Sequence, residues 1–413
     1  MSLTSPGAPG PLPEGATTTP PGVVGPGELL ALFRSRAHLT RADVMTLTGL
    51  SRSTVNQRID LLQEAGLLVE REPHVVPGRG RGRPAGSFAF NVERGVLLVC
   101  DIGATAMRAA ICDLSGTVLR DLPLLSDVTE GPEAVLARVD PLFSRLLESS
   151  GREAADVRGI ALSVPGPVDH EQATVVSPPI MTGWDRFDVR GWFARTYDCP
   201  LLLEKDANAM AWGEYRTHYS DADTILMLKL GTGVGAGIIA GGRIHRGADG
   251  AAGDIGHTQA SGDDRDSNPA CRCGNSGCVE AHVGGWALMR DLTAAGRDAT
   301  TVDEVVELIR TADPVAVSLA RAAGRVLGVA LAETVNILNP RVVVVGGQLA
   351  EAEEQVFAGL REMVYSRSLP LATRRLELHR SRLDERAGSV GLALLLADHI
   401  FDPARVDAGL GAG

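Results

Sequence analysis

Three cysteines at C-x-C-x4-C spacing, Cys271, Cys273 and Cys278 in "CRCGNSGCVE", follow His257, which lies fourteen residues before the first of them. Three thiolates and an imidazole suffice to close a tetrahedral zinc shell, and an odd number of thiols cannot be accounted for by disulfides in a reducing compartment. The pattern predicts a structural Zn2+ held by His257, Cys271, Cys273 and Cys278, with His282 the less favoured fourth ligand and otherwise a surface histidine. A second cluster lies in "LLLEKDANAMAWGEY", residues 201 to 215, where an apolar strand runs into acids and amides and then into a helix. Asp206 at that junction has three open roles: it performs chemistry, holds a ligand, or caps the helix. Lysine occurs only as Lys205 and Lys229, the other basic residues being arginine, so an ammonium next to Asp206 is no accident of composition.

Glycine-rich turns form a third group. "VLLVCDIGATAMRAAICDLSGTVL" and "TILMLKLGTGVGAGIIAGGRIHRG" read as versions of one hairpin, an apolar strand followed by a Gly/Thr turn. Such turns expose backbone N–H groups to a phosphate, which makes Asp101, Gly103, Thr105, Gly231, Thr232 and Gly233 nucleotide candidates, although hairpin geometry alone also selects glycine. Gly346 and Gly347 in "NPRVVVVGGQLAEAEEQVF" join a buried strand to a helix start, a junction that can contact a nucleotide.

The elements that position these groups alternate strand and helix from residue 91 onward, an α/β body. Its repeated hairpins predict two similar lobes, 91–205 and 206–401, facing a cleft. Ahead of them, "ELLALFRSRAHLT" is helical with Leu29, Leu30, Leu32 and Phe33 on one face. Thr40 caps a second helix, Gly49 turns the chain, and Ser51 caps a third. Val44, Leu50, Val55 and Ile59 are spaced to pack together, the pattern of a helix-turn-helix. Ser51, Arg52, Ser53, Thr54, Asn56, Gln57 and Arg58 suit phosphates and base edges, and Arg79, Arg81 and Arg83 lie between glycines in a wing. Residues 27–90 therefore read as a winged helix-turn-helix for operator DNA. The flanks, 1–26 and 402–413, read as disordered tails.

The charge agrees. The net charge is -11, yet residues 1 to 90 carry nine arginines against seven acids, a basic head on an acidic body. No run of about 20 apolar residues is present and the N-terminus has no basic, apolar leader pattern, so the expected location is cytoplasmic, without membrane contact. Cys100, Cys112 and Cys199 stand singly in or beside apolar runs and read as buried thiols.

Taken together, "LGTGVGAGII", "GGRIHRGADGAAGDIGH", "CRCGNSGCVE" and "DAN" after a strand resemble the ROK family of repressors and sugar kinases over residues 27 to 400. The resemblance implies an actin-like (sugar kinase, RNase H-like) two-lobed fold. The winged head is similar to that of the family's repressors, including regulators of xylose and N-acetylglucosamine use, and the kinases lack it. Asp206 matches the kinases' proton acceptor. Glu280, His257 and Asp254 match sugar-contacting positions, and Gly166 matches the loop beside the sugar, with Lys205 adjacent.

Departures accompany the match. Asp254 replaces a glutamate, and Lys205 replaces an asparagine and would hold Asp206 ionised, a weaker base. "DIGATA" adds methyls at Ala104 and Ala106 where kinases show "DIGGT", and "SPPIMTGW" has proline where kinases often have a sugar-binding asparagine. These changes weaken the case for ATP and Mg2+. The expected protein is a sugar-responsive repressor of carbohydrate genes and not an enzyme, a homodimer or homotetramer taking a sugar or sugar-phosphate effector. The alternative is a bifunctional ATP-dependent sugar kinase that also binds DNA.

Overall fold

The computed structural model describes residues 25–71, 86–260 and 268–411. The chain divides into two compact units, residues 1–91 with 401–413, and residues 92–400.

In the first unit, helix α1 (Pro26–Arg34) has proline in its first turn and buries Leu29, Leu30 and Phe33; Leu32 is half-buried. A short strand β1 (Leu39–Thr40) leads into α2 (Arg41–Thr48), whose start is a reciprocal capping box between Thr40 and Asp43. Gly49, at φ +69°, ends α2 in the left-handed region, and Ser51 caps α3 (Arg52–Glu64) by accepting from Thr54 N at 3.2 Å. Val44, Val55 and Ile59 are fully buried and Leu50 is partly so, which joins the two helices as expected. Strands β2 (Leu68–Arg71) and β3 (Ser87–Phe90) complete an antiparallel sheet in the order β1-β3-β2. The wing arginines Arg79, Arg81 and Arg83 lie outside the described residues.

The second unit contains two five-stranded sheets of identical topology. The first is built from β4 (Val96–Ile102), β5 (Ala106–Cys112), β6 (Val118–Leu125), β7 (Val157–Val164) and, after the small β8 (Val168–Asp169) and β9 (Thr174–Val175) pair, β10 (Leu201–Lys205). Its order is β10-β7-β4-β5-β6, with α4 (Pro132–Ser149) and α5 (Val189–Phe193) covering it. Helix α6 (Asp206–His218) then passes to the second sheet: β11 (Thr224–Leu230), β12 (Val234–Ala240), β13 (Arg243–Ile244), β14 (Val342–Gly346) and β15 (Glu377–Arg380). Its order, β13-β12-β11-β14-β15, repeats the first strand for strand. Each has a three-stranded antiparallel meander with two parallel strands added beside its first strand. The duplication read from the paired glycine hairpins is therefore a property of the whole sheets.

Helices α7 (Glu280–Val283), α8 (Gly285–Ala294), α9 (Val302–Arg310), α10 (Pro314–Leu338), α11 (Glu353–Arg367) and α12 (Pro370–Thr373) surround the second sheet. α10 is long and apolar enough to cross a membrane, but its Leu327, Leu331 and Val335 are fully buried in this lobe, which marks a core helix. The last helix of the unit, α13 (Ala387–Ile400), packs on α6 and on β4 and β7 of the first sheet. The closing helix thus belongs beside the first sheet, not in a separate C-terminal lobe of 206–401. A Cβ on Gly391 would lie 1.7 Å from Ala209 O, so only glycine permits this α6–α13 contact.

The reading of 402–413 as a tail is also corrected. Residues Pro403–Gly411 form helix α14, which packs on α1 in the DNA-binding unit. Asp407 Oδ1 accepts from Gly27 N at 2.7 Å, and Phe401 meets Phe90 edge-on at 5.0 Å. Two buried apolar anchors, Phe401 and Val406, explain why this short, glycine-containing segment orders.

Candidate functional site

The junction of β10 and α6 places Asp206 at the first helical position, buried, with Oδ1 accepting from Ala207 N at 2.6 Å. Its other oxygen is ion-paired with the Lys229 ammonium, which comes from the end of β11. Lys205, the sequence neighbour, turns away and pairs with Asp254. The cation that neutralises Asp206 is thus Lys229, while Lys205, for which the sequence leaves Glu204, Asp206 and Asp254 open as partners, takes Asp254. Successive residues of an extended strand point to opposite sides, and Lys205 is the last residue of β10.

The charges of Lys229 and Asp101, at the end of β4, also interact. Asp101 is taken out of water, and this raises its carboxyl above the ordinary range despite Lys229 and a hydrogen bond from Ser163 Oγ at 2.6 Å. For Lys229, burial alone would lower the ammonium, but Asp206 and Asp101 outweigh it and hold it above 10.5.

Two further carboxylates are engaged by the protein itself. Glu280 accepts from Val234 N at 3.0 Å and from Trp286 Nε1 at 3.2 Å, and a Cβ on Gly233 would lie 2.6 Å from its Oε2. Glycine at 233 is there to admit this carboxylate. Glu204, which sequence reasoning passed over, is buried and bound by Arg246 Nε at 3.0 Å and Asn208 Nδ2 at 2.9 Å, with His170 Nδ1 at 3.5 Å. Its signal was its place on the same strand end as Lys205.

The ligand atoms of His257, Cys271, Cys273 and Cys278 all lie within 4.8 Å of one another. Cys273 and Cys278 sulfurs are 3.7 Å apart, and His257 Nδ1 is 3.8 Å from Cys271 Sγ. A tetrahedron with metal–sulfur bonds of about 2.3 Å has edges of roughly 3.8 Å, so the donors fit a metal ion of zinc's size. Burial and the neighbouring sulfurs push the Cys278 thiol up to about 12, a cost that a bound cation would remove. His282 is half-buried in α7 and outside this cluster, not a surface histidine. Of the single cysteines, Cys100 and Cys112 are buried and Cys199 is half-buried.

A cavity of about 530 Å³ joins these groups. Gly166, Lys205, Asp206, Asp254, His257 and Glu280 line it, and so do the turn residues Asp101, Gly103, Thr105, Gly231, Thr232 and Gly233, with Gly346 and Gly347. Every sugar and nucleotide candidate within this unit is therefore brought to one cleft between the two sheets.

A family model described as the ROK family matches residues 97–399, which is most of the chain. The protein belongs to the ROK family. A winged helix-turn-helix DNA-binding model matches residues 27–69 of this ROK protein. The xylose repressor of Bacillus subtilis is 26% identical over 382 residues, covering 91% of this chain and 95% of that protein. The glucokinase of Thermotoga maritima is 28% identical over 323 residues, covering 98% of that enzyme but 74% of this chain. Among solved structures, a ROK transcriptional regulator described as a homolog of the E. coli MLC protein superposes with TM-score 0.77 at 25% identity, covering 94% of this chain and 98% of that one. A Streptomyces griseus ROK glucokinase, solved with glucose and AMPPNP, gives 0.63 at 28% identity, with 73% and 99% covered.

On the DNA-binding unit, Arg52, Ser53 and Gln57 of α3 are exposed, whereas Thr54, Asn56 and Arg58 are half-buried. Ser51 is exposed, but its hydroxyl is occupied with Thr54 and Ser53, so its first duty is the cap.

Proposed function

We propose that this ROK protein is a transcriptional repressor that binds operator DNA through α3 and the wing, and that a sugar bound in the cleft between the lobes alters that binding. The observation that carries the reading is the pairing, in one chain, of a capped recognition helix with a cleft whose Asp206 is ion-paired with Lys229. A general base must be free to take a proton, and an aspartate clamped by an ammonium is a poor one. As a hydrogen-bond acceptor for a sugar hydroxyl, the same carboxylate remains competent.

In this reading Asp206, Asp254 and Gly166 meet the sugar, Lys205 orients Asp254, and Glu280 fixes the second hairpin turn. A structural zinc on His257 Nδ1, Cys271, Cys273 and Cys278 holds the loop that presents the other face of His257 to the cleft. Arg52, Ser53 and Gln57 read the major groove while Arg79, Arg81 and Arg83 contact phosphates. The repressor acts as a homodimer or dimer of dimers, the usual match to two operator half-sites.

The test is a fluorescence-anisotropy titration of labelled upstream DNA from carbohydrate genes, with a panel of neutral sugars, xylose and glucose among them. Sequence-specific binding that one sugar shifts tenfold or more is expected, and Asp206→Asn abolishes the shift while operator affinity without sugar stays the same. ATP-dependent sugar phosphorylation lost in Asp206→Asn would overturn the reading in favour of a kinase that also binds DNA.

A further inference from the structure

We propose that Lys229 sets the ligand class of the cleft: it is a tethered cation, ion-paired with Asp206 and lining the same cavity as Asp101, which commits the site to an uncharged sugar and bars a divalent metal with its nucleotide phosphates. The inference rests on the sugar-cleft reading above and says what that cleft refuses.

The two sheets carry the argument. In the first hairpin Asp101 pairs with Arg108 one step before the last rung, Ile102 with Met107; in the second, Lys229 pairs with Gly235 one step before Leu230 with Val234. Asp101 and Lys229 are thus the same position in two copies of one hairpin, and the glycine turns that follow both line the cavity. The duplicated fold brings both positions to one cavity, where Lys229 is ion-paired with Asp206. A metal ion drawn to Asp101 and Asp206 would have to compete with the Lys229 ammonium already paired with Asp206. Like charges a few ångströms apart in a site shielded from water repel strongly, and the lysine cannot diffuse away as a free ion can.

Most other cations of the cleft are already engaged by carboxylates, and Arg272, which also lines it, lies over the Trp286 ring at 4.8 Å. Lys205 is engaged by Asp254, Arg108 by Asp121 and Glu385, and Arg380 by Asp384 at 3.2 Å. A sugar phosphate would have to compete with these carboxylates, whereas a neutral polyol needs only acceptors and donors, which the ion pairs still offer at their open lone pairs and protons.

The experiment uses the zinc-loaded full chain and two probes, Mn2+ followed by the loss of its free electron-spin resonance signal, and Mg2+ with AMPPNP followed by calorimetry. The wild type is expected to take up neither in the cleft. Lys229→Met is expected to gain one Mn2+ per chain, bound at least about 100-fold more tightly than by the wild type, as two carboxylates without a resident cation should. Lys229→Met/Asp101→Asn is expected to lose that gain. If Lys229→Met does not fold, Lys229→Met/Asp206→Asn removes one charge of each sign, and this variant is expected to fold and to bind Mg2+–AMPPNP measurably where the wild type does not. Stoichiometric Mn2+ or Mg2+–AMPPNP on the wild type, or a folded Lys229 variant that gains neither, overturns the proposal. Operator binding and its release by sugar are recorded on the same preparations. Their loss in the wild type would sink the repressor reading, while metal uptake by the wild type would sink only the assignment to Lys229.

Discussion

The hairpins β4–β5 and β11–β12 share a fold, a register and a glycine turn, yet their side chains have become complementary. At the matched position one carries Asp101, opposite Arg108 and hydrogen-bonded by Ser163; the other carries Lys229, opposite a glycine. The turns diverge as well. The first keeps side chains at Ala104 and Ala106, whereas the second is pared to glycine at 233 because the Glu280 carboxylate sits against it. A duplicated scaffold thus supplies two equivalent aims into one cleft, and what the cleft does depends on which charges are placed there. In this chain they satisfy each other.

The largest effect should come from breaking that complementarity. Lys229→Met leaves Asp206 buried without its ion-pair partner, beside the half-buried Asp101, and is expected to lose about 3 to 5 kcal/mol of unfolding free energy in denaturant titration. Asp206→Asn in the same background should recover part of the loss, because the remaining acid can take up a proton. A change below about 1 kcal/mol, typical of an exposed pair, would mean that the two hairpins do not depend on each other.

The metal loop should affect one hairpin only. Cys273→Ser is expected to lose one bound zinc per chain, and with it about 2.7 kcal/mol or more if the wild-type site is held at about 100 times its dissociation constant. The disturbance should appear around Glu280 and the 231–233 turn. Hydrogen exchange that rises equally at 103–105 would contradict it.

Glycines provide a matched pair at smaller scale. A Cβ at Gly388, in α13, would lie 2.0 Å from Asp101 Oδ2, and one at Gly233 lies 2.6 Å from Glu280 Oε2. Each alanine variant is expected to cost about 1 to 3 kcal/mol by overpacking. They should differ in function, since α13 runs on through Phe401 into the helix that packs on α1. Gly388→Ala is expected to change operator affinity even without sugar, and Gly233→Ala only the response to sugar. Identical profiles in an anisotropy titration would show that α13 carries no signal.

Much of this was legible in the sequence, for identifiable reasons. The helix-turn-helix was announced by local chemistry: Thr40 and Ser51 at caps, and Gly49 at a positive φ. The metal cluster needed only spacing, because its donors lie within 22 residues of one another, from His257 to Cys278. The paired hairpins foretold two equal sheets. What was not legible depended on long-range partners. Lys205 stands next to Asp206 in sequence but serves Asp254, and Lys229, from 23 residues on, takes the place expected of it. Setting "CDIGAT" over "LKLGTG" would have revealed Lys229 opposite Asp101. The tail expectation fails over 403–411 because α14 is held by tertiary anchors, not by its own propensity.

The smallest predicted effect is on the pH dependence of stability, and it treats both members of the matched pair at once. Asp101 is raised above 3.8 by burial, so the folded protein binds its proton more tightly than the unfolded chain does. Its contribution is present below about 3.8 and is lost as pH rises through the folded value. Lys229 is raised above 10.5, since Asp206 and Asp101 outweigh its burial, and its contribution is present below 10.5 and lost as pH rises through its own folded value. Both groups therefore tilt stability the same way, downward with rising pH, in two separate windows. Asp101→Asn should flatten the acid window relative to the wild type, and Lys229→Met should flatten the alkaline one while extending the acid window to higher pH, because Lys229 lowers the Asp101 carboxyl. The measurement is unfolding free energy from pH 4 to 11 for the three proteins, taken as differences so that the other titrating groups cancel. If Asp101→Asn instead steepened the fall with pH on the acid side, Asp101 would be an ionised partner of Lys229 throughout, and the matched pair would be an ordinary salt bridge instead of one cation shared between two carboxylates.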